Sequence, residues 1–312
     1  MKAWQFVDDG KPLTLNEVAE PQAADDGVVI DVKGAGICHS DVGYVTGVIS
    51  QMLAFRPITL GHEIAGVISA VGKNVTGFNV GDRVVAPAKV KSAGTTLNGG
   101  FAAKVGLPAE FVVPLPDGVS WGQAAAASDA GMTSYHAVIR QGQVTSGMKV
   151  GIIGLGGLGS LGAQTALGAG AEVYVAEINE KVHDYARSLG VTAVATDISE
   201  FADQGLDVII DFAGFGTTTA SAISTVKYGG RVVIVGLGAA EATIPTAEMV
   251  FREIDLISSQ AGSNDDCSGV LQLIADGKLE SRISEISFDE IADGIEKLHR
   301  GEVVGRLVAI SD

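Results

Sequence analysis

From Lys149 onward, short apolar segments alternate with helix-prone segments, and this alternation constrains the fold more than any other feature of the chain. The predicted buried strands are Val150–Ile153, Val173–Ala176, Ala193–Thr196, Val208–Asp211, Arg231–Val235 and Leu256–Ser258. The predicted helices between them cover residues 158–169, 179–189 and 218–227. Such an order builds right-handed βαβ units on a parallel sheet. This half of the chain is therefore predicted to be an α/β domain with a doubly wound sheet.

A glycine-rich turn joins the first of these strands to its helix. The turn runs GLGGLG from Gly154 to Gly159. Glycine permits a tight turn and close approach to a pyrophosphate, and a helix N-terminus offers unpaired N–H groups to the anion. Glu177 ends the next strand, where its carboxylate would accept ribose hydroxyls and repel a 2′-phosphate. The pattern predicts a Rossmann site that prefers NAD, although a purely structural glycine turn can have the same local sequence.

The N-terminal part has shorter β-prone segments, which are interrupted by Gly, Asp and Pro. The predicted strands are Gly27–Lys33, Ile64–Val71, Asp82–Ala86 and Glu110–Val113, followed by a helix-prone stretch at Trp121–Gln141. The C-terminal tail is predicted to form helices at Cys267–Ala275 and Ile291–Arg300 and a strand at Gly305–Ile310. A β-rich domain should therefore precede the α/β domain.

The composition excludes several classes of protein. Hydrophobic residues make up 46% and charged residues 19%, which excludes a disordered chain. The net charge of −16 repels phosphate backbones and anionic lipids, so neither nucleic acid nor membrane is an expected partner. No apolar run reaches about 18 residues. Two cysteines cannot build a disulfide framework, and the N-terminus has no apolar signal region, so we expect a reduced cytoplasmic protein.

Two glycine-flanked segments in the β-rich part contain residue types that bind metals. GICHSD contains Cys38, and GHE contains His62. A catalytic zinc needs only three protein ligands, and thiolate and imidazole are suitable donors. However, a lone Cys is usually a small buried apolar residue, and a lone His is often a polar core residue with satisfied hydrogen bonds. On these segments alone, a zinc site and an ordinary structural role both remain open.

The ordered set of motifs resembles the medium-chain dehydrogenase/reductase superfamily, specifically its zinc-dependent alcohol dehydrogenases. The motifs are GICHSD, LGHEIAGVI, VGKNVTGFNVGDRVV, NGGFA, the segment from Asp129 to Thr133, GLGGLG and the closing GRLV. The likeness covers the whole chain. It implies a GroES-like catalytic domain at residues 1–121, completed by residues 264–312, and a Rossmann NAD-binding domain at residues 122–263.

The resemblance also implies a metal site. Cys38 and His62 would be two ligands of one catalytic zinc ion, and Asp129 stands where the family often has a third ligand, usually Cys. Glu63 would lie near the metal, and either Glu63 or water would complete its shell. The expected partner of the Glu63 carboxylate is Arg306.

Further roles follow from the same resemblance. Ser40 would contact the alcohol oxygen and begin the removal of its proton, and Asp41 would orient the His62 imidazole. The residues expected to bind the cofactor are Gly154, Gly156, Gly157, Leu158, Gly159, Glu177, Thr133 and Arg306. The implied reaction is hydride transfer between an alcohol and NAD. Ala88 is small where relatives often have an aromatic residue, and the apolar segment Tyr44–Phe55 would also line the pocket, which weakly favours a secondary alcohol or ketone.

Two features depart from the family pattern. Many relatives have a histidine that relays the proton five residues after the first zinc ligand, but this chain has Gly43 there. The proton would then pass through water, His39 or Tyr44. The segment APAKVKSAGTTLNGG contains no cysteine, so the structural zinc of many relatives is expected to be absent. Cys267 is expected to be an inert thiol.

Two other functions remain open at the level of sequence. One is a zinc-free medium-chain reductase of enones or quinones, in which Cys38 and His62 no longer bind metal. The other is a non-catalytic NAD(H)-binding redox sensor. Otherwise the expected partners are a small alcohol, ketone or aldehyde, and further copies of the chain in a homodimer or homotetramer.

Overall fold

The computed structural model describes residues 1–89 and 91–311. Val90 and Asp312 lie outside the described residues, and Asp312 is the last position of the segment expected to complete the first domain. Among the described helices, none combines the length and the apolar character that crossing a membrane requires.

The described residues form two compact units. The first consists of residues 1–132 and 261–312, and the second consists of residues 133–260. The helix that begins at Trp121 packs against strands of the first unit and belongs with it. The domain limits implied by the resemblance, at 121/122 and 263/264, remain a prediction.

Short strands dominate the first unit. Those in its N-terminal part are β1 (Lys2–Phe6), β2 (Thr14–Glu17), β3 (Gly27–Ile37), β4 (Ile58–Thr59), β5 (Glu63–Val71), β6 (Arg83–Ala86), β7 (Lys104–Pro108) and β8 (Val113–Pro114). The helical elements are α1 (His39–Val45), α2 (Trp121–Ala126), two 3₁₀ segments (Ser50–Met52 and Ala109–Phe111) and a π-helical turn (Ala127–Gly131). The strand predicted at Glu110–Val113 is wrong over most of its length. The Val112 amide bonds back to the Ala109 carbonyl at 3.2 Å and closes a 3₁₀ turn after Pro108.

The second unit alternates strands and helices. Its strands are β9 (Lys149–Ile153), β10 (Glu172–Ala176), β11 (Ala193–Ala195), β12 (Val208–Asp211), β13 (Arg231–Ile234) and β14 (Asp255–Ser258). Its helices are α3 (Met132–Tyr135, which begins on the last residue of the first unit), α4 (Gly157–Gly168), α5 (His183–Ser188), α6 (Thr217–Thr225) and α7 (Thr246–Arg252), with 3₁₀ segments at Glu180–Val182 and Ile198–Gln204 and a π-helical segment at His136–Gln141. All six strands are parallel, in the order β11-β10-β9-β12-β13-β14. This is the doubly wound Rossmann order, so the predicted α/β fold class is confirmed.

The C-terminal tail returns to the first unit. It forms α8 (Asn264–Ala275), β15 (Ile283–Ile286), a 3₁₀ segment (Phe288–Glu290), α9 (Ile291–His299) and β16 (Arg306–Ile310). Strand β16 pairs antiparallel with the second half of β3, while β7 pairs with the first half. The resulting sheet has the order β15-β16-β3-β5-β6-β8. The GroES-like β-rich architecture is thus confirmed, and β16, which begins at Arg306, lies between β15 and β3 in its sheet.

Glycine makes close packing possible at the start of the Rossmann unit. Gly154 has a φ of +82°, which L side chains rarely adopt. A Cβ at Gly159 would collide with the Gly154 carbonyl, and one at Gly162 would meet the Phe212 ring at 2.5 Å. These glycines therefore let α4 lie directly against the turn and against the residue that follows β12.

The core of the first unit reaches the segment that precedes His62. Phe101 is fully buried, and a Cβ at Gly61 would meet its ring at 2.5 Å. Gly61 has a φ of +92°, so both its backbone conformation and its space require glycine. The Phe101 ring therefore supports the backbone on which His62 stands.

We expect Phe101→Ala to lower the free energy of unfolding of the first unit by about 3–5 kcal/mol, because the ring leaves a cavity in a packed core. Both tryptophans, Trp4 and Trp121, lie in this unit, so urea unfolding followed by tryptophan fluorescence reports on it. Phe55→Ala is the matched control in the same unit, since Phe55 is 41% exposed. Equal effects of the two substitutions would contradict the assignment of Phe101 to the core.

Candidate active site and metal centre

Cys38 lies at the junction between β3 and α1. Its backbone N–H donates to Asp41 Oδ2 at 2.9 Å, and this bond caps the first turn of the helix. The Cys38 side chain is only 7% exposed, and its Sγ lies 3.6 Å from the Ser40 hydroxyl oxygen. The GICHSD segment therefore brings a thiol, a hydroxyl and a buried carboxylate into one helical turn.

His62 is buried at the start of β5 between two carboxylates. Its Nδ1 lies 3.5 Å from Asp41 Oδ1, and its Nε2 lies 3.8 Å from Asp129 Oδ2. Neither Nδ1 nor Asp41 Oδ1 has a hydrogen-bond partner among the described residues. The ring therefore directs Nδ1 toward Asp41 and leaves Nε2 facing the side chains of the cluster.

Asp129 stands on the π-helical turn Ala127–Gly131 that continues α2. The Ser128 carbonyl accepts a hydrogen bond from the Ala88 amide at 2.8 Å, and the Ser128 hydroxyl donates to the Ala125 carbonyl. A π turn shifts the side chains that follow it relative to a regular α-helix, and such turns are frequent at functional sites. The wider turn sets the direction in which Asp129 leaves the helix.

Arg306 joins two of the carboxylates. Its Nε donates to Glu63 Oε2 at 3.0 Å, and its Nη2 donates both to Glu63 Oε1 and, at 2.9 Å, to Asp129 Oδ2. Arg306 is 4% exposed and Glu63 is fully buried. A Cβ at Gly36 would collide with the Glu63 carboxylate, so this glycine makes the space for the ion pair. The expected Glu63–Arg306 pair is present in the structure.

The donor atoms of four side chains come together. One ligand atom from each of Cys38, His62, Glu63 and Asp129 lies within 4.8 Å of the others. A tetrahedral zinc with bonds of about 2.0–2.3 Å separates its ligand atoms by roughly 3.3–3.8 Å. The 3.8 Å distance between His62 Nε2 and Asp129 Oδ2 matches this geometry. Sulfur, imidazole nitrogen and carboxylate oxygen are donors that zinc accepts, so the cluster fits such an ion.

The charged groups of the cluster shift one another's pKa values. Burial would lower the pKa of His62, but Asp41 and Cys38 outweigh it and raise that pKa well above its ordinary value. Burial also raises the pKa of Glu63 to about 8, although Arg306 opposes this shift. Burial would raise the pKa of Asp129, but His62 and Arg306 hold it below its ordinary value. The two carboxylates that share Arg306 therefore shift in opposite directions.

The glycine-rich turn and Glu177 are directly connected in the second unit. Glu177 Oε2 accepts from the Leu155 amide at 2.6 Å, and Oε1 accepts from the Asn179 amide at 2.8 Å. Gly156 precedes the first turn of α4, where a Cβ would face open space. The contacts of Leu155 and Asn179 are not evident in the sequence, because their side chains take no part in them.

The remaining predicted positions fall into four groups. At Gly43, a Cβ would meet Ile49 Cγ1 at 2.9 Å, so packing leaves little space for the histidine of other relatives. Ala88 is buried near the π-helical turn, as described above. Thr133 and Leu158 both belong to the second unit, and the roles implied for them are still predictions. Burial raises the pKa of the Cys267 thiol to about 12, which keeps it protonated.

A GroES-like unit with a thiolate, imidazole and carboxylate cluster, together with a Rossmann unit, defines a two-domain dehydrogenase. Residues 24–117 match the alcohol dehydrogenase GroES-like domain, and residues 157–276 match the zinc-binding dehydrogenase family. An alcohol dehydrogenase of Geobacillus stearothermophilus is 30% identical over 337 residues, covering 99% of each chain. The chain therefore belongs to the zinc-type alcohol dehydrogenases of the medium-chain dehydrogenase/reductase superfamily.

Solved structures agree with this assignment. The alcohol dehydrogenase of the hyperthermophilic archaeon Aeropyrum pernix superposes with a TM-score of 0.90 at 28% identity, covering 100% of both chains. The acetophenone reductase of Geotrichum candidum, solved in complex with NAD, superposes with a TM-score of 0.89 at 27% identity, covering 99% of this chain and 97% of that one. The resemblance to the zinc-dependent alcohol dehydrogenases is thus confirmed.

Proposed function

We propose that this enzyme is an NAD-linked alcohol dehydrogenase that holds one catalytic zinc ion through Cys38, His62 and Asp129. The observation that carries the proposal is the convergence of these donor atoms within 4.8 Å in a member of this family. The three residues come from the end of β3, the start of β5 and the π-helical turn. Three segments that are distant in sequence thus place one S, one N and one O donor together, and these are donors that zinc accepts.

Water or substrate, rather than Glu63, completes the proposed metal shell. Both oxygens of Glu63 already accept hydrogen bonds from Arg306, and the pair is almost completely buried. Moving Glu63 onto the metal would leave a buried guanidinium partly unpaired, which is costly. An open fourth position is also what a catalytic zinc requires.

The chain's own residues supply binding and proton handling. A zinc ion held here would provide a Lewis acid, and NAD would provide the hydride acceptor. The Ser40 hydroxyl lies beside the proposed metal ligand Cys38 and would accept the alcohol proton while it passes its own proton on. Asp41 holds the His62 ring so that Nε2 faces the cluster. Buried Tyr44 or exposed His39, both on α1, then connects Ser40 to solvent, with water as the third route.

NAD binding is proposed for the glycine-rich turn. The backbone N–H groups at the start of α4 suit a pyrophosphate, with Gly154, Gly156, Gly157 and Gly159 allowing close approach. Glu177, held by two backbone amides, would accept the adenosine ribose hydroxyls. Leu158, Thr133 and Arg306 are the other proposed cofactor contacts.

The proposed substrate is a secondary alcohol or ketone. Ala88 is small and buried beside the π-helical turn that carries Asp129, which leaves room for a second carbon substituent. A relative named for reducing acetophenone, a ketone, supports the same class. We further propose that the enzyme is a cytoplasmic homodimer or homotetramer. We also propose that it has no structural zinc, because residues 86–100 contain no cysteine.

The purified enzyme should contain close to one zinc per chain. Cys38→Ser should remove the metal and the activity together, because the thiolate is a ligand, while NADH binding in the second unit persists. Cys267→Ser is the matched control, since it removes the only other cysteine and should leave zinc content unchanged. Metal analysis measures the zinc content, and an NADH-coupled assay measures the activity. Full activity after exhaustive chelation would instead identify a zinc-free reductase, and two zinc ions per chain would refute the proposed absence of a structural site.

Cofactor choice should depend on Glu177. Replacing Glu177 by Ser and Ile178 by Arg should raise the preference for NADP relative to NAD at least tenfold, or ~1.4 kcal/mol, because a carboxylate repels the 2′-phosphate. Ile178 is 86% exposed, so the arginine disturbs no packing. Glu180→Ser, which removes an exposed acid three residues further on, should leave the ratio of kcat/KM values unchanged. Equal use of both cofactors by the unmodified enzyme would contradict the role of Glu177.

Ser40→Ala should lower kcat by roughly 10², the size of a lost acid–base contribution, while the affinity for NADH stays constant. Steady-state kinetics and NADH titration separate the two effects. Ser69→Ala, a hydroxyl deletion on β5 of the same unit, serves as the control and should not change kcat. Loss of zinc in the Ser40 variant would show a structural role, and an unchanged kcat would exclude the hydroxyl from the proton path.

A further inference from the structure

One contact of the cluster depends on the third ligand being a carboxylate. Arg306 Nη2 donates to Asp129 Oδ2 at 2.9 Å in addition to its bonds with Glu63. That oxygen also faces His62 Nε2 at 3.8 Å, and a carboxylate oxygen has enough lone pairs to accept from a guanidinium and bind a metal at the same time. A thiolate has a single donor atom and accepts hydrogen bonds weakly. A cysteine at this position could not serve both partners in the same way.

The guanidinium is well placed to fix the Asp129 side chain. Arg306 is 4% exposed at the start of β16, which lies between β15 and β3, and its Nε and Nη2 are both bonded to Glu63. Its planar fork is therefore held by a rigid strand and a fully buried partner. Asp129, by contrast, is partly exposed on a single π-helical turn. The bond to Arg306 therefore ties the more exposed of the two groups to the more buried one.

We propose that Arg306 is a positioning residue for the third zinc ligand. Its bond to Oδ2 fixes the Asp129 carboxylate in the orientation in which that oxygen faces His62 Nε2 and the proposed metal position. This inference rests on the proposed zinc site. It adds that the affinity for zinc depends on the Arg306–Asp129 contact specifically, and not only on the balance of charge that Arg306 provides.

A double-mutant cycle on metal affinity tests this contact without using activity. Arg306→Lys keeps the positive charge but loses the fork that reaches both carboxylates. In the chain with Asp129, it should weaken zinc binding about 10- to 100-fold, the usual effect of losing a partner of a metal ligand. In the background of Asp129→Cys, the same substitution should cost less than about threefold, because the thiolate gains little from the guanidinium.

Zinc dissociation constants from competition with a chromophoric chelator provide the readout, and Co²⁺ absorption spectra report the ligand geometry. Glu63→Gln is the matched control, because it removes a charge beside Arg306 and leaves the Asp129 contact in place. Its effect on zinc affinity should be the same in both backgrounds. Equal effects of Arg306→Lys in the two backgrounds would overturn the inference while leaving the zinc site intact. A wild-type chain that binds no zinc would overturn the proposed function as well.

A crystal structure of the zinc-loaded wild-type enzyme decides the matter independently if Arg306→Lys does not fold. The expected result is Asp129 Oδ2 on zinc and still within hydrogen-bond distance of Arg306 Nη2. Zinc bound through Oδ1 alone, or Arg306 bonded to Glu63 alone, would overturn the inference.

Discussion

The buried contact of Arg306 with Glu63 and Asp129 is the interaction on which the rest of the site depends. It joins strand β16 of the C-terminal tail to strand β5 and to the π-helical turn after α2. Each of these elements carries or adjoins a side chain of the proposed metal centre. Because Arg306 and Glu63 lie almost entirely away from water, removal of the guanidinium would leave two carboxylates without their buried positive partner. The ion pair therefore ties the active site to the completed sheet.

Such an arrangement is expensive as a source of stability alone. Burying ions costs several kcal/mol of solvation for each, and good geometry only offsets that cost. The ion pair also requires glycine at position 36, because a side chain there would collide with the Glu63 carboxylate. The ion pair is better explained by its geometry than by its contribution to stability. Arg306 fixes the orientation of the Glu63 and Asp129 carboxylates beside the Cys38 thiol and the His62 ring. Proposed catalysis and observed architecture thus depend on the same contacts.

Much of the fold could be predicted from local sequence. The alternation of apolar strands and helices located all six strands of the second unit, and the glycine-rich turn lies where the motif placed it. The failure at Glu110–Val113 has a local cause, because the residues are apolar and β-prone but follow Pro108 in a 3₁₀ turn. Helix α7 carried no clear periodic signal. The π-helical turn around Asp129 was also beyond reach, since its extra residue depends on packing against neighbouring segments.

The sequence by itself determined the two-unit architecture and the set of residues with metal-binding chemistry, because these follow from periodicity, glycine positions and residue type. Only the tertiary structure decided which of those residues meet. Cys38 and Arg306 are far apart in the chain, and the pairing of β16 with β3 brings their strands side by side. The proximity of Arg306 to both Glu63 and Asp129 likewise has no local signature. Long-range strand pairing and helix packing set these distances, and neither can be read from spacing along the chain.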